Sequence, residues 1–160
     1  MQKNVILLQK NPQTIKKMWK TIKERNKKMK IEEKACGCII FENDKILLIR
    51  QMSGMWGFPK GHVEDNETEE ETAKREVKEE TNIEVEVDKS KRYVVHYRTD
   101  KGRNKEVVFF IGKKVGGYLR MQPEEIIEAG WFDYNDAMKI ISYENTRELF
   151  KKVLKENNLK

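Results

Sequence analysis

The sequence predicts an α/β fold, a sandwich with helices on both faces of a mixed central sheet. Three observations predict it. Short apolar runs alternate with turn residues through the middle of the chain, as strands do. Two amphipathic helical patterns follow the last of these runs. A further, strongly charged helical pattern lies between the early and the late strands. A chain of 160 residues is the length of one compact core with little left over.

The elements fall in order. Thr14 predicts a helix cap, with Ile15, Met18, Trp19 and Ile22 on one face behind it. Ala35–Phe41 and Lys45–Arg50 read as strands joined by a turn at Asn43-Asp44. Met55–Gly61 reads as a loop, fixed by Gly57, Pro59 and Gly61. Asn66 predicts the N-cap of the charged helix, and Glu69 completes a capping box. Ile83–Val87 follows as a strand with alternating acids. Arg92–Arg98 and Lys105–Lys113 form a hairpin around Asp100-Lys101-Gly102, and Trp131–Asp133 ends a short strand. Tyr134–Ile141 and Thr146–Asn157 are the closing helices, the second with Leu149, Phe150, Val153 and Leu154 on its inner face.

Charge divides the chain. Residues 1–28 carry nine Lys/Arg against one acid, Glu24, a balance of +8 in a chain of formal charge +6. We therefore expect residues 1–28 to be a basic, helical N-terminal extension and residues 29–160 the folded domain. The extension packs its apolar stripe on the domain, offers a basic arm to nucleic acid or an anionic membrane, or is an appended, dispensable segment; packing or dispensability is the favoured reading over a binding arm. Val5-Ile6-Leu7-Leu8 is too short for a signal-peptide core, and no apolar run approaches the ~18 residues of a membrane span. Cys36 and Cys38 point to one face of a strand and find no second pair for a zinc site. They read as reduced core residues, which predicts a cytoplasmic protein.

The chemistry concentrates between Gly61 and Ile83. From Glu64 to Glu80 nine acids face three bases, −6 inside a basic chain. On a helix, Glu76, Glu79 and Glu80 stand at i, i+3 and i+4 and share one face. Like charges so placed repel and weaken the helix unless a cation neutralises them. Oxygen-only donors select a hard cation, so the expected cofactor is Mg2+ or Mn2+ rather than zinc. An ordinary solvated acidic helix, with Glu70–Lys74 and Glu71–Arg75 as pairs, explains the charge but not the spacing.

That spacing is Gly61, five residues, Glu67, seven residues, then Arg75-Glu76-Val77-Lys78-Glu79-Glu80-Thr81-Asn82-Ile83. It resembles the Nudix box, G-x5-E-x7-R-E-U-x-E-E-x-G-U with U aliphatic. One position departs, Asn82 standing where the family has Gly; Asn tolerates the left-handed conformation of a helix C-cap. The resemblance implies a Nudix-type α/β/α sandwich and a hydrolase of nucleoside-diphosphate-linked substrates. It implies metal on the Glu76, Glu79 and Glu80 carboxylates and the Gly61 carbonyl, with Glu67 and Arg75 in the catalytic frame and Arg75 orienting carboxylates. It also implies a further glutamate outside the box as metal contact or base. Glu125 fits by its distance from Trp131, with Glu124 and Glu128 as rivals.

Trp56-Gly57-Phe58-Pro59-Lys60-Gly61-His62 resembles the W-x-F-P-K-G-H stretch of asymmetric diadenosine tetraphosphate hydrolases. Lys60 is a point charge for phosphate and His62 adds a hydrogen bond or proton. Tyr143 matches the aromatic that stacks an adenine there, and Lys105 is a second phosphate candidate. Core packing is the simpler reading for Trp56 and Phe58, while for Tyr143 base stacking and helix-junction packing weigh equally. The implied partner is a nucleotide or dinucleoside polyphosphate cut to ATP and AMP. RNA 5′-end pyrophosphohydrolases share W-x-F-P-[KQ]-G, and the basic arm suits RNA. Inositol pyrophosphates are a third substrate class of such sequences. Oxidised dNTPs fit less well, because relatives acting on them carry P-G-G. A catalytically silent nucleotide-binding domain would have lost box carboxylates, and none is lost here. The oligomeric state is left open.

Overall fold

The structure is a computed structural model and describes residues 11–25 and 30–160. Two units are distinguished, Met1–Lys30 and Ile31–Lys160. Within the first, α1 runs Pro12–Arg25. Asn11, not Thr14, stands at its start, with the Gln13 N–H donating to Asn11 Oδ1 at 2.9 Å. Pro12 explains the shift: it lacks the N–H that a first helical position leaves unpaired anyway. Lys3, Lys10, Lys27 and Lys28 of the basic segment lie outside the described residues, as does the side chain of Ile22.

The second unit is built on a mixed sheet. Its strands are β1 (Glu33–Glu42), β2 (Lys45–Gln51), β3 (Trp56–Gly57), β4 (Lys60–His62), β5 (Glu84–Arg98), β6 (Asn104–Gly116) and β7 (Ile126–Asp133). The path is β3-β2-β1-β6-β5, with β4 paired to β1 and β7 to β2. β1 and β6 are parallel; the other pairings are antiparallel. The helices are α2 (Glu69–Thr81), α3 (Tyr134–Ile140) and α4 (Glu144–Glu156).

Strand alternation makes two cores. Cys36, Cys38 and Ile40 of β1 face Ala73 and Val77 of α2. Ala35 and Ile39 face the other way, toward Tyr134, Ala137, Leu149, Phe150 and Val153 of α3 and α4. The predicted sandwich is therefore present in this unit, with α2 on one face and α3 and α4 on the other. Phe58 belongs to the second core, buried with edge-on contacts to Phe109 and Phe150.

Three local expectations need correction. The N-cap of α2 is Thr68, and the capping box pairs Thr68 with Glu71 rather than Asn66 with Glu69. Thr68 Oγ1 accepts from the Glu71 N–H at 3.2 Å, and the Thr68 N–H donates to Glu71 Oε2 at 2.7 Å. Glu69 is thereby free to face the sheet, where Lys34 and Arg92 bind it. The two runs around Asp88–Lys91 are one strand, β5, whose register with β6 shifts between Asp88 and Arg92. Its polar middle is that of an edge strand rather than a loop. Finally, the Met55–Gly61 segment, expected as a loop, holds β3 and the start of β4, while β7 ends on Trp131–Asp133 as expected.

Candidate active site

Helix α2 and strand β4 assemble the site. β4 pairs Gly61 with Cys36 and Lys60 with Gly37, which holds it flat on β1. α2 lies over it with Glu76 and Glu80 turned inward and Glu79 at the rim. Gly61 is the point of contact. A β-carbon there would overlap Glu76 Cδ and both of its carboxylate oxygens.

Arg75 organises the acids. Its Nε and Nη2 donate to Glu67 Oε1 and Oε2 at 2.6 and 3.0 Å, a two-pronged pair. Nη2 also donates to the His62 carbonyl at 2.9 Å. Nη1 donates to Glu76 Oε1 at 2.8 Å and Glu79 Oε2 at 3.1 Å. Glu67 also accepts from Thr72 Oγ1 at 2.8 Å. The Arg75 bonds hold the Glu67 carboxyl down to about 2 against the effect of burial. Both carboxylate oxygens of Glu67 are thus engaged by Arg75.

Glu76 and Glu80 behave oppositely. Glu80 is 2% exposed. Burial, followed by the charge of Glu76, pushes its carboxyl up to about 8, although it accepts from the Lys60 N–H at 3.0 Å. Burial also raises Glu76, with Glu79 and Glu125 adding to the rise and Arg75 opposing it. Glu125 thus bears on both buried acids. Glu128 lies opposite Arg50 in the β2–β7 ladder, and Glu124 lies beside Lys78, Glu79 and Asn82.

Buried carboxylates pushed toward protonation, against a backbone with no room for a β-carbon, form an oxygen donor set short of positive charge. That set fits a hard divalent cation held by Glu76, Glu79, Glu80 and the Gly61 carbonyl. The cage is not closed as it stands: among the described residues no three acid, His or Cys side chains converge on one point. Arg75 Nη1 occupies Glu76 and Glu79 instead.

Lys60 also lines a cavity of about 340 Å³, together with Trp56, Tyr97, Lys105, Tyr143 and Asn145 among others. Lys105 is 8% exposed, with its ammonium 5.9 Å from the Tyr97 ring centroid. Among the described residues neither Lys60 nor Lys105 has a carboxylate within ion-pair distance. Burial, then the charge of Lys105, brings Lys60 down to about 8, and burial lowers Lys105. Tyr143 stands at the start of α4, 56% exposed. Its loop is tied to Trp56 through the Trp56 N–H to Ser142 Oγ bond at 2.8 Å. Trp56 lines the cavity and meets Phe132 edge-on. The exposed His62 ring lies 3.5 Å from Glu33 Oε2, outside this cavity lining.

Tyr97 and Asn145 escaped the sequence reading. Tyr93, Val95 and Tyr97 alternate along β5, a signal that places Tyr97 on a buried face. Its apposition to Lys105 comes from the β5–β6 register.

A family model for the NUDIX domain matches residues 32–153. The chain belongs to the NUDIX family. A Mycobacterium tuberculosis protein that carries the name mutator protein MutT4 is 33% identical over 97 residues, 59% of this chain and 39% of that one. The chain spans less than half the length of the curated relatives it matches, 39% and 44%. A C. elegans Ap4A hydrolase, solved as a binary complex, superposes with a TM-score of 0.71 at 26% identity. That match covers 79% of this chain and 98% of that one. A MutT NUDIX hydrolase from Burkholderia pseudomallei superposes at 0.64, also 26% identical, over 76% of this chain and 97% of that one. The two superposed structures match the fold described above.

Proposed function

We propose that this NUDIX protein is a divalent-metal-dependent hydrolase of phosphoanhydride bonds, acting on dinucleoside polyphosphates. Diadenosine tetraphosphate, cut asymmetrically to ATP and AMP, is the substrate the site fits best. The observation that carries the reading is the continuity through Lys60. Its backbone N–H holds Glu80 of the carboxylate face, and Lys60 also lines the cavity shared with Lys105 and Tyr143. Two partly buried ammonium groups without carboxylate partners suit a polyphosphate chain, and an exposed tyrosine suits a base. The likeness to the C. elegans Ap4A hydrolase supports the same class.

The residues divide the work. Glu76, Glu79, Glu80 and the Gly61 carbonyl hold Mg2+ or Mn2+. When bound, the cation lowers the pKa of the attacking water and neutralises charge on the phosphate oxygens. Arg75, braced by Glu67, keeps the carboxylates in register. Glu125 takes the proton from the attacking water as its oxygen bonds to phosphorus. Lys60 and Lys105 hold the phosphates of the departing nucleotide, and Tyr143 stacks its adenine. The P–O–P bridge breaks and leaves ATP and AMP. Two buried free cysteines suit a reducing compartment, the cytoplasm. No described helix is long and apolar enough to cross a membrane.

One observation favours a second reading: the +8 of residues 1–28 suits RNA, and with it 5′-end pyrophosphate removal. The test sets diadenosine tetraphosphate beside a 5′-triphosphorylated RNA at equal concentration with Mg2+, products resolved. Faster conversion of the dinucleotide to ATP and AMP supports the first reading. Faster release of pyrophosphate or phosphate from RNA replaces it with the second.

A further inference from the structure

The Nudix box puts Gly at the end of the catalytic helix; this chain puts Asn82 there. The backbone needs only a residue that accepts the left-handed region. Asn82 sits at φ 62° and ψ 6°, its N–H donating to the Lys78 carbonyl at 2.9 Å. Glycine meets that need at lower cost. The asparagine side chain adds something glycine lacks. Its Nδ2 donates to the Tyr118 carbonyl at 3.0 Å, a residue 36 positions away.

Tyr118 opens the segment 117–125 that leads from β6 to β7. The segment runs along the C-terminus of α2 and satisfies carbonyls that a helix end otherwise leaves to water. The Arg120 N–H donates to the Thr81 carbonyl at 3.0 Å and the Gln122 N–H to the Glu80 carbonyl at 3.2 Å. Gly117, at φ +77°, allows the approach, since a β-carbon there would overlap the Asn82 carbonyl oxygen. At the far end stands Glu125. Its N–H donates to the Gln122 carbonyl at 3.2 Å, and its own carbonyl accepts from the Met52 N–H at 3.0 Å. One side-chain bond, from Asn82, therefore begins a ladder that ends at Glu125, whose charge bears on Glu76 and Glu80.

We propose that Asn82 is a positioning residue: its bond to Tyr118 latches the 117–125 segment to the end of α2 and so fixes Glu125 against Glu76 and Glu80. The kinetic consequence rests on the hydrolase reading above; the latch itself does not. Asn82 thus replaces a purely conformational glycine with a residue that also anchors the segment.

The test uses the full chain and two variants. Asn82→Gly keeps the left-handed backbone and removes the donor. Asn82→Asp keeps the shape and sets a carboxylate, which cannot donate, against the Tyr118 carbonyl. Both should fold, and amide exchange at Arg120 and Gln122 should accelerate about 3- to 10-fold, the size of one neutral hydrogen bond. Exchange at Thr72, at the other end of α2, should stay as in the wild type. With diadenosine tetraphosphate and Mg2+, kcat should fall by a similar factor (about 3- to 10-fold) with KM within about twofold, since the segment carries Glu125 and not the cavity. Unchanged exchange at Arg120 and Gln122 in Asn82→Gly overturns the latch. Accelerated exchange with unchanged kcat overturns the positioning role. A wild type that turns nothing over defeats the hydrolase reading and the kinetic role with it, while exchange still decides the latch.

Discussion

Glu76 rests against the backbone of Gly61 so closely that even a methyl group at Gly61 would occupy the space of its carboxylate. This is a tight constraint on the site. Glu76 is 7% exposed and cannot swing outward without breaking its bond to Arg75. Gly61→Ala should therefore displace the carboxylate and lower kcat by about 100-fold or more, the cost of a misplaced reacting group. Steady-state kinetics on the dinucleotide, beside a thermal melt to show folding, checks this. Near-normal turnover would mean that the Gly61–Glu76 contact does not set the metal position.

Arg75 is the next point of leverage. A lysine keeps the charge but offers one compact point instead of a planar fork. It cannot bind both oxygens of Glu67 and also reach Glu76, Glu79 and the His62 carbonyl. Arg75→Lys should lower kcat about 10- to 100-fold and raise the Mg2+ concentration for half-maximal rate. A Mg2+ titration of rate reads both. A variant with wild-type values on both axes would remove Arg75 from the frame.

Much of this was legible before the structure, for a local reason. Glu67, Arg75, Glu76, Glu79 and Glu80 lie within one helix and its lead-in, where spacing alone fixes the face. The N-cap was misread because Asn66 and Thr68 are both followed by Glu three residues on. What decides is that Glu67 must turn back to Arg75, which leaves the capping position to Thr68. The chain of Arg92, Glu69, Lys34, Glu106 and His96 was not legible at all. It depends on the parallel pairing of β1 with β6, about 70 residues apart, which no local pattern encodes. The cavity at Tyr97 and Lys105 depends on the β5–β6 register in the same way.

That ion chain has a pH signature. Arg92 first, then Lys34, holds the Glu69 carboxyl down to about 2. A group lowered on folding stabilises fully above its unfolded value, about 4.3 for Glu, and loses that contribution as pH falls toward 2. Glu69→Gln should therefore melt below the wild type at pH 7, with the gap narrowing from about pH 4.5 downward. Melts at pH 7, 5 and 3 test it. A gap that stays constant with pH would show that the Glu69 charge contributes no stability.

Deleting residues 1–28 should leave diadenosine tetraphosphate hydrolysis within about twofold, because no residue placed in the site or its cavity precedes Ile49. If the arm serves RNA, the same deletion should weaken RNA binding and flatten its salt dependence. Rates on the two substrates, with and without the segment, read this directly. Loss of dinucleotide activity would place the segment in the site or in the stability of the domain.

The central claim is that the acids on one face of α2 hold a divalent cation for phosphoanhydride hydrolysis. The most direct measurement is turnover of diadenosine tetraphosphate against Mg2+ concentration, for the wild type and Glu79→Gln, in EDTA and after Mg2+ is restored. Glu79 suits the test because it is half-exposed, so its replacement leaves the core intact. The account predicts no wild-type turnover in EDTA, full recovery with Mg2+, and a kcat lowered by about 100-fold or more in Glu79→Gln with unchanged circular dichroism. Turnover that persists in EDTA, or a Glu79→Gln variant that works near the wild-type rate, would contradict it.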